Sequence, residues 1–290
     1  MNRKRIKISR IVIYALVTLF SLCCVLPLLL VFMVSITDER AIGMNGYSFF
    51  PEAFSLEAYK RIIYPGSPLF QSYAVTIFTV VIGTAIAVLM TYFAAYPLAN
   101  KKFRYRNGFA MFFFITTVFN AGLVPWYLMC RQLHMYNNIL ALIIPSMVFT
   151  PFNMFLVRNY VRELPVELME SARIDGAGEL RVATQICMPL CKPVLATITL
   201  FYGINYWNSW FNAIMLVDDS KLYPLQMLLM KIQSDIKMMT MVSGASANMT
   251  LPTEGVKMAT VIMTIGPIIF LYPFLQKYFV KGIIMGSVKG

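Results

Sequence analysis

Residues Glu163 to Pro189 read ELPVELMESARIDGAGELRVATQICMP. This stretch holds five of the chain's 13 acidic residues (Glu163, Glu167, Glu170, Asp175 and Glu179), and Arg158 and Arg162 stand just before it. The rest of the chain is of another kind. Over 290 residues it is 59% hydrophobic and 13% charged, where a soluble domain carries about 25% charged residues. The apolar residues also come in runs too long for a soluble core. A chain that is mostly apolar helix and keeps one structured, charged loop has built that loop for a partner.

The apolar runs are Ile11 to Val34, Phe70 to Leu98, Gly108 to Met129, Ile139 to Val157, Pro193 to Leu216 and Val256 to Phe279. Each is close to the ~20 residues that cross about 30 Å of hydrocarbon at 1.5 Å per residue. The first follows a basic start, Arg3, Lys4, Arg5, Lys7 and Arg10. A signal peptide also starts this way, but its apolar region runs only about 7–15 residues, so the segment is expected to stay as a first span. The reading is an all-α membrane protein with six transmembrane helices.

Six spans put both ends on one side, and the distribution of Lys and Arg selects the side. With both termini cytoplasmic, the inner segments hold the basic start, Lys101, Lys102, Arg104 and Arg106, the charged loop from Arg158 to Lys192, and Lys277, Lys281 and Lys289. The outer segments hold less than half as many: Arg40, Lys60, Arg61, Arg131, Lys221, Lys231 and Lys237. The charged loop is therefore expected in the cytoplasm. The net charge of +12 follows this topology, because the cations cluster at the ends of apolar runs. It forms no phosphate-tracking stripe, so nucleic acid is not an expected partner.

Several classes of function find no support. Apart from Lys257 and Lys277 near the ends of the last span, the spans hold no Lys, Arg, Asp, Glu or His, whereas ion-coupled carriers keep such residues at membrane depth. There is no GxxxxGK[ST], HExxH or GxSxG pattern, so no nucleotide-binding or catalytic apparatus is legible. The five cysteines (Cys23, Cys24, Cys130, Cys187 and Cys191) have no metal-site spacing, and the single histidine, His134, has no second ligand nearby. No metal site is expected. Energy for active work must come from another subunit.

The fifth run carries Asn205, Asn208 and Asn212 at spacings that put them on one helix face, with Trp207 and Trp210 interleaved. Two readings fit. Amides and aromatic faces suit a sugar path, through Asn205, Trp207, Asn208 and Asn212. The same residues suit interhelical hydrogen bonds and an interfacial aromatic belt, and that reading is preferred.

Local physics divides the charged loop into two short helices. Pro165 suits the first helical position, and Glu167 and Glu170 then lie near the positive end of the helix dipole. Val166, Met169 and Ala172 form an apolar edge, and Gly176 and Gly178 stop the helix. A second helix, Glu179 to Met188, is expected to carry Leu180, Ala183 and Cys187 on one face. A short helix with a small-residue edge and acidic flank suits a groove on a protein partner.

The spacing Glu170-Ser171-Ala172, three residues, Gly176, nine residues, Ile186, one residue, Met188-Pro189 resembles the EAA signature of ABC-transporter permeases. Ser171 and Met188 stand where that pattern has Ala and Leu, both small changes in volume. The run ARIDGAG and the ending FLQKYFVKGIIMGSVKG are similar to the carbohydrate-importer branch, on the side of the second maltose-type permease subunit and of Gram-positive oligosaccharide and polysaccharide importers.

The resemblance implies a type I importer transmembrane domain over residues 69–276. Residues 1–68 would form the basic start, first span and first external loop, residues 158–192 the coupling loop, and residues 277–290 a cytoplasmic tail. It implies a non-catalytic, multi-pass permease subunit in a bacterial cell membrane. Its partners would be a second homologous permease subunit, a dimer of cytoplasmic ATPase subunits that holds ATP and Mg, and an extracellular lipoprotein solute-binding protein. This chain would bind no cofactor itself. Glu167, Glu170, Ser171, Ala172, Asp175 and Gly176 would contact the ATPase. The external connection from Val217 to Gly255, with a helix starting at Pro224, would dock the binding protein near Ser243, Gly244, Ser246 and Asn248. A secondary transporter or channel acting alone is the alternative.

Overall fold

In a computed structural model, the structure describes residues 8–145, 147–243 and 254–269. Most of these residues are helical, and a single antiparallel bridge, Thr37 to Phe54, is the one β interaction among them. The helices are α1 (Ile8–Ser35), α2 (Glu39–Asn45), α3 (Glu57–Ile62), α4 (Pro68–Ala99), α5 (Arg106–Val118), α6 (Leu123–Gln132), α7 (Leu140–Ile143), α8 (Pro151–Glu163), α9 (Val166–Ile174), α10 (Glu179–Arg181), α11 (Met188–Leu190), α12 (Lys192–Trp207), α13 (Phe211–Leu216) and α14 (Leu225–Ser243). A final helix, α15, covers residues 254–269. A π-helical segment, Val182–Cys187, joins α10 to α11.

The chain forms two compact units. One contains α1 to α3, the part of α14 after Leu228, and α15 up to Pro267. Here Glu39 accepts the backbone N–H groups of Glu254 (2.9 Å) and Gly255 (3.0 Å), capping α15 with a carboxylate. A Cβ on Gly255 would come within 2.9 Å of Glu39 Oε2, so a larger residue there would push the capping carboxylate aside. Tyr47 donates to Glu254 Oε2 at 2.6 Å, and this bond pushes the Tyr47 hydroxyl up to about 12.

The other unit is organised by α4, against which α8 and α12 pack. Its buried face runs through Ser72, Thr76, Thr79, Gly83, Ala87, Thr91, Ala95 and Leu98 at spacings of three and four. These are almost all small or hydroxyl side chains, which let helices approach closely in an apolar medium. The core they help enclose includes Tyr92, Met154, Val157, Ile198, Tyr202 and Tyr206.

Two helices, from Arg10 to Ser35 and from Pro68 to Ala99, are each long and apolar enough to cross a membrane. The expected third, fourth and fifth spans are broken. α5 and α6 meet at a bend of 116°, where Gly122 takes φ +90° and its N–H is accepted by Asn120 Oδ1 at 2.9 Å. Among its described residues the fourth run is helical at α7 and again from Pro151, because Pro145 and Pro151 cannot donate within a helix. Then α8 continues to Glu163, six residues past the expected end at Val157. The polar head of Arg162 reaches the Leu98 carbonyl at 3.4 Å, so the helix carries its charge out without stopping. In the fifth run α12 ends at Trp207 and α13 starts at Phe211. The sixth is described up to residue 269, so the tail expected over 277–290 lies outside the described residues.

Candidate functional site

The charged loop folds on a backbone-locked turn. α9 starts one residue later than expected: Pro165 is its N-cap, with φ −57° and ψ 120°, and its missing N–H again costs nothing there. At the other end Gly176 takes φ +83°. Its N–H reaches the Arg173 carbonyl at 3.1 Å, and the Ala177 N–H reaches the Ala172 carbonyl at 2.9 Å. This pair of bonds is a Schellman cap. It satisfies two of the last carbonyls of α9 and reverses the chain into α10.

The helix presents two faces. Val166, Met169, Glu170 and Arg173 share one, at spacings of three and four, and Met169 is buried against the core of the unit. Glu167, Leu168 and Ser171 lie on the exposed side. The Ser171 hydroxyl donates back to the Glu167 carbonyl at 2.6 Å. Ala172 packs partly against the core. Asp175 is exposed at the C-cap, and its N–H is spent on the Ser171 carbonyl at 2.9 Å. The six residues expected to form the coupling site therefore lie together on one short helix and its cap, but Glu170 turns toward the body of the unit, 3.8 Å from Lys102.

A brace across the turn was not read from the sequence. Arg173 Nε donates to Glu179 Oε1 at 2.7 Å, and Tyr96 of α4 donates to Glu179 Oε2 at 3.1 Å. The Arg173 hydrogen bond, chiefly, holds the Glu179 carboxyl below its ordinary value. Opposite charges flanking a predicted Gly-rich turn were the available signal for Arg173 and Glu179. Tyr96 had none, since it comes from a distant helix.

The segment after the turn also differs. Expected as an α-helix with Leu180, Ala183 and Cys187 aligned, it contains the π turn. Leu180 is 70% exposed, while Val182, Ala183, Cys187 and Cys191 are buried. The wider turn rotates Leu180 off the buried face. Tyr92 of α4 donates to the Ala183 carbonyl at 2.6 Å, holding the π segment to the core.

The fifth-run stripe is split by the helix end at Asn208. The Tyr206 hydroxyl donates to the Ile143 carbonyl (2.8 Å), and Asn212 Nδ2 to the Pro145 carbonyl (2.8 Å). The Tyr202 hydroxyl accepts the Thr150 N–H at 3.0 Å and shares a 2.7 Å bond with Thr91. These side chains satisfy backbone groups that the broken fourth run leaves free, as an apolar medium requires. Trp207 is buried. Asn205 and Asn208 stay exposed, with Asn208 accepting from Gln226 at 3.3 Å. Pro224 does precede a helix, α14, whose Leu225 and Leu228 are buried. Ser243 is its last residue, and Gly244, Ser246 and Asn248 lie outside the described residues.

Residues 87–285 match the family of binding-protein-dependent transport system inner membrane components. The chain belongs to that family. Members are non-catalytic permease subunits of ABC transporters, which work in general with a partner permease, an ATPase and a solute-binding protein. Protein LplC of Bacillus subtilis (strain 168) is 38% identical over 92% of this chain and 90% of its own length. The polygalacturonan/rhamnogalacturonan transport system permease protein YtcP of the same organism is 34% identical over 96% and 97%. A solved bacterial ABC transporter involved in the import of the acidic polysaccharide alginate contains a chain with a TM-score of 0.85 and 33% identity, covering 96% of this chain and 99% of that one. The fold is thus that of a type I ABC importer permease.

Proposed function

We propose that this chain is half of the membrane pathway of an ATP-driven importer of oligosaccharides or polysaccharides in a bacterial cell membrane, with six spans and both ends in the cytoplasm. The family and the substrates in the relatives' names support the transport of sugar polymers. The observation that carries the mechanism is the Schellman-capped α9, which presents Glu167, Leu168 and Ser171 outward on a helix fixed to the core by Met169.

In this reading α9 seats in a cleft of a cytoplasmic ATPase dimer, which holds the ATP and Mg. Glu167 and Ser171 meet the cleft, Ala172, Asp175 and Gly176 shape the turn, and Glu170 backs the helix through Lys102. Nucleotide binding drives transport only as far as it binds the inward-open and outward-open states unequally. A second permease subunit completes the pathway. An extracellular lipoprotein binding protein delivers sugar near residues 243–248, and Asn205 and Asn208 are the fifth-run amides open to its hydroxyls.

Gly176→Asp tests the coupling. No atom lies within 4 Å of a Cβ at Gly176, but its φ is +83°, so the variant inserts and folds while its turn is strained by about 1–2 kcal/mol. In proteoliposomes with the partner subunits, ATP hydrolysis should persist and uptake of radiolabelled oligosaccharide should fall at least several-fold. Undiminished uptake per ATP would overturn the reading.

A further inference from the structure

Beside the charged loop the second unit holds a cavity of about 560 Å³. Its apolar lining comes from Ala99 at the end of α4, Val161 of α8, and Val166 and Met169 of α9. Its polar lining is unbalanced: Lys101, Lys102, Arg106, Arg162 and Arg173 stand against a single acid, Glu170. That acid is already engaged by Lys102, and Arg173 is engaged by Glu179. Lys101 and Arg106 have no ion pair among the described residues.

The surroundings say what such a cavity meets. α5 begins at the rim with Arg106 and buries none of its residues. Phe109, Met111, Phe112 and Ile115 are all exposed along it. The mouth therefore lies where apolar helix surface gives way to charge, which in a bilayer is the level of the head groups. A concave apolar floor under an excess of cations, at that level, suits a phosphate diester joined to a greasy tail. A free phosphate would satisfy the cations but leave the floor bare.

We propose that this cavity binds one anionic phospholipid. Lys101 and Arg106 take the phosphate, and Ala99, Val166 and Met169 contact the glycerol and the first acyl carbons. The lipid would then back the face of α9 opposite Glu167, Leu168 and Ser171, and link the membrane's charge to the position of that helix. The idea rests on the membrane placement given above but not on coupling.

The test uses the assembled transporter in nanodiscs of phosphatidylcholine containing a photoreactive phosphatidylglycerol, with labelled peptides of this subunit identified by mass spectrometry. Labelling is expected on peptides spanning residues 99–107 and 161–173. It should fall about tenfold or more in the Lys101→Ala, Arg106→Ala double variant and persist in Lys101→Arg, Arg106→Lys. Asn107→Glu, which adds an acid at the rim without removing a cation, should also lower it. Labelling that is unchanged in the Lys101→Ala, Arg106→Ala double variant overturns the proposal. So does loss of labelling to millimolar inorganic phosphate, which would make the cavity a free-anion site, or crosslinking of Asn107→Cys to the ATPase in place of lipid. Labelling is read without uptake or ATP turnover, so an uncoupled Gly176→Asp complex that still labels would separate the two readings.

Discussion

Among the described residues α1 and α4 are the two helices long and apolar enough to cross a membrane unaided, yet only 6% of the apolar stretch of α1 is buried, against 39% of that of α4. Hydrophobicity does not distinguish them. Composition along one face does. α4 sets Ser72, Thr76, Thr79, Gly83, Ala87, Thr91 and Ala95 in line, and the backbones of α8 and α12 can approach that line. α1 presents Leu16, Leu19, Phe20, Leu26 and Leu29 outward with no comparable seam. Apolar length selects what enters the bilayer, and small residues select which faces pack inside it.

Substitutions on the two helices can break or sharpen this contrast. The largest effect is expected for Gly83→Val. A Cβ there would lie 2.5 Å from Cζ of Tyr206, whose ring is held by its bond to the Ile143 carbonyl. Overpacking of this kind costs about 3 kcal/mol or more, visible as a fall in the thermal midpoint of the detergent-purified complex. Tyr206→Phe should cost about 1–3 kcal/mol in the same assay, since it leaves a buried carbonyl without its donor.

A smaller effect follows where α4 reaches the charged loop through Tyr96. The folded-state carboxyl of Glu179 titrates below its ordinary value of 4.5. Its contribution is therefore present above that value and lost as pH falls through the lowered one. Glu179→Gln should remove it at neutral pH and speed amide exchange around Ala177. The cost should be less than about 1 kcal/mol, because the Glu179 side chain is largely solvated. The smallest effect belongs to α1: Leu19→Ala, at a residue 61% exposed, should stay within about 0.5 kcal/mol. A drop comparable to that of Gly83→Val would mean that α1 also has a packed seam.

What was legible in the sequence follows the reach of the interactions. α1, α4 and the turn at Gly176 are specified locally, by apolar length or by a glycine six residues after the EAA-type glutamate, and all three stand as read. The interruptions at Asn120–Gly122, at Pro145 and Pro151, and at Asn208 were not anticipated, because an apolar window averages over the hydrogen bonds it contains. Prolines can sit in the fourth run only because Tyr202, Tyr206 and Asn212, more than 50 residues away, satisfy the freed backbone groups. The asparagine stripe was visible and its partners were not. The π turn has a local element, Pro189, but its pairing with Tyr92 is a contact between distant segments.

The Schellman turn has a mechanical consequence. A loop that absorbed displacement would need free backbone torsions between α9 and α10. Here the torsions are closed by the Gly176 and Ala177 amide bonds, and the gap is spanned by Arg173, Glu179 and Tyr96. The joint is stiff where a hinge would be compliant, so in the function proposed above a push on α9 would reach the end of α4 through Glu179 and Tyr96 with little lost to bending.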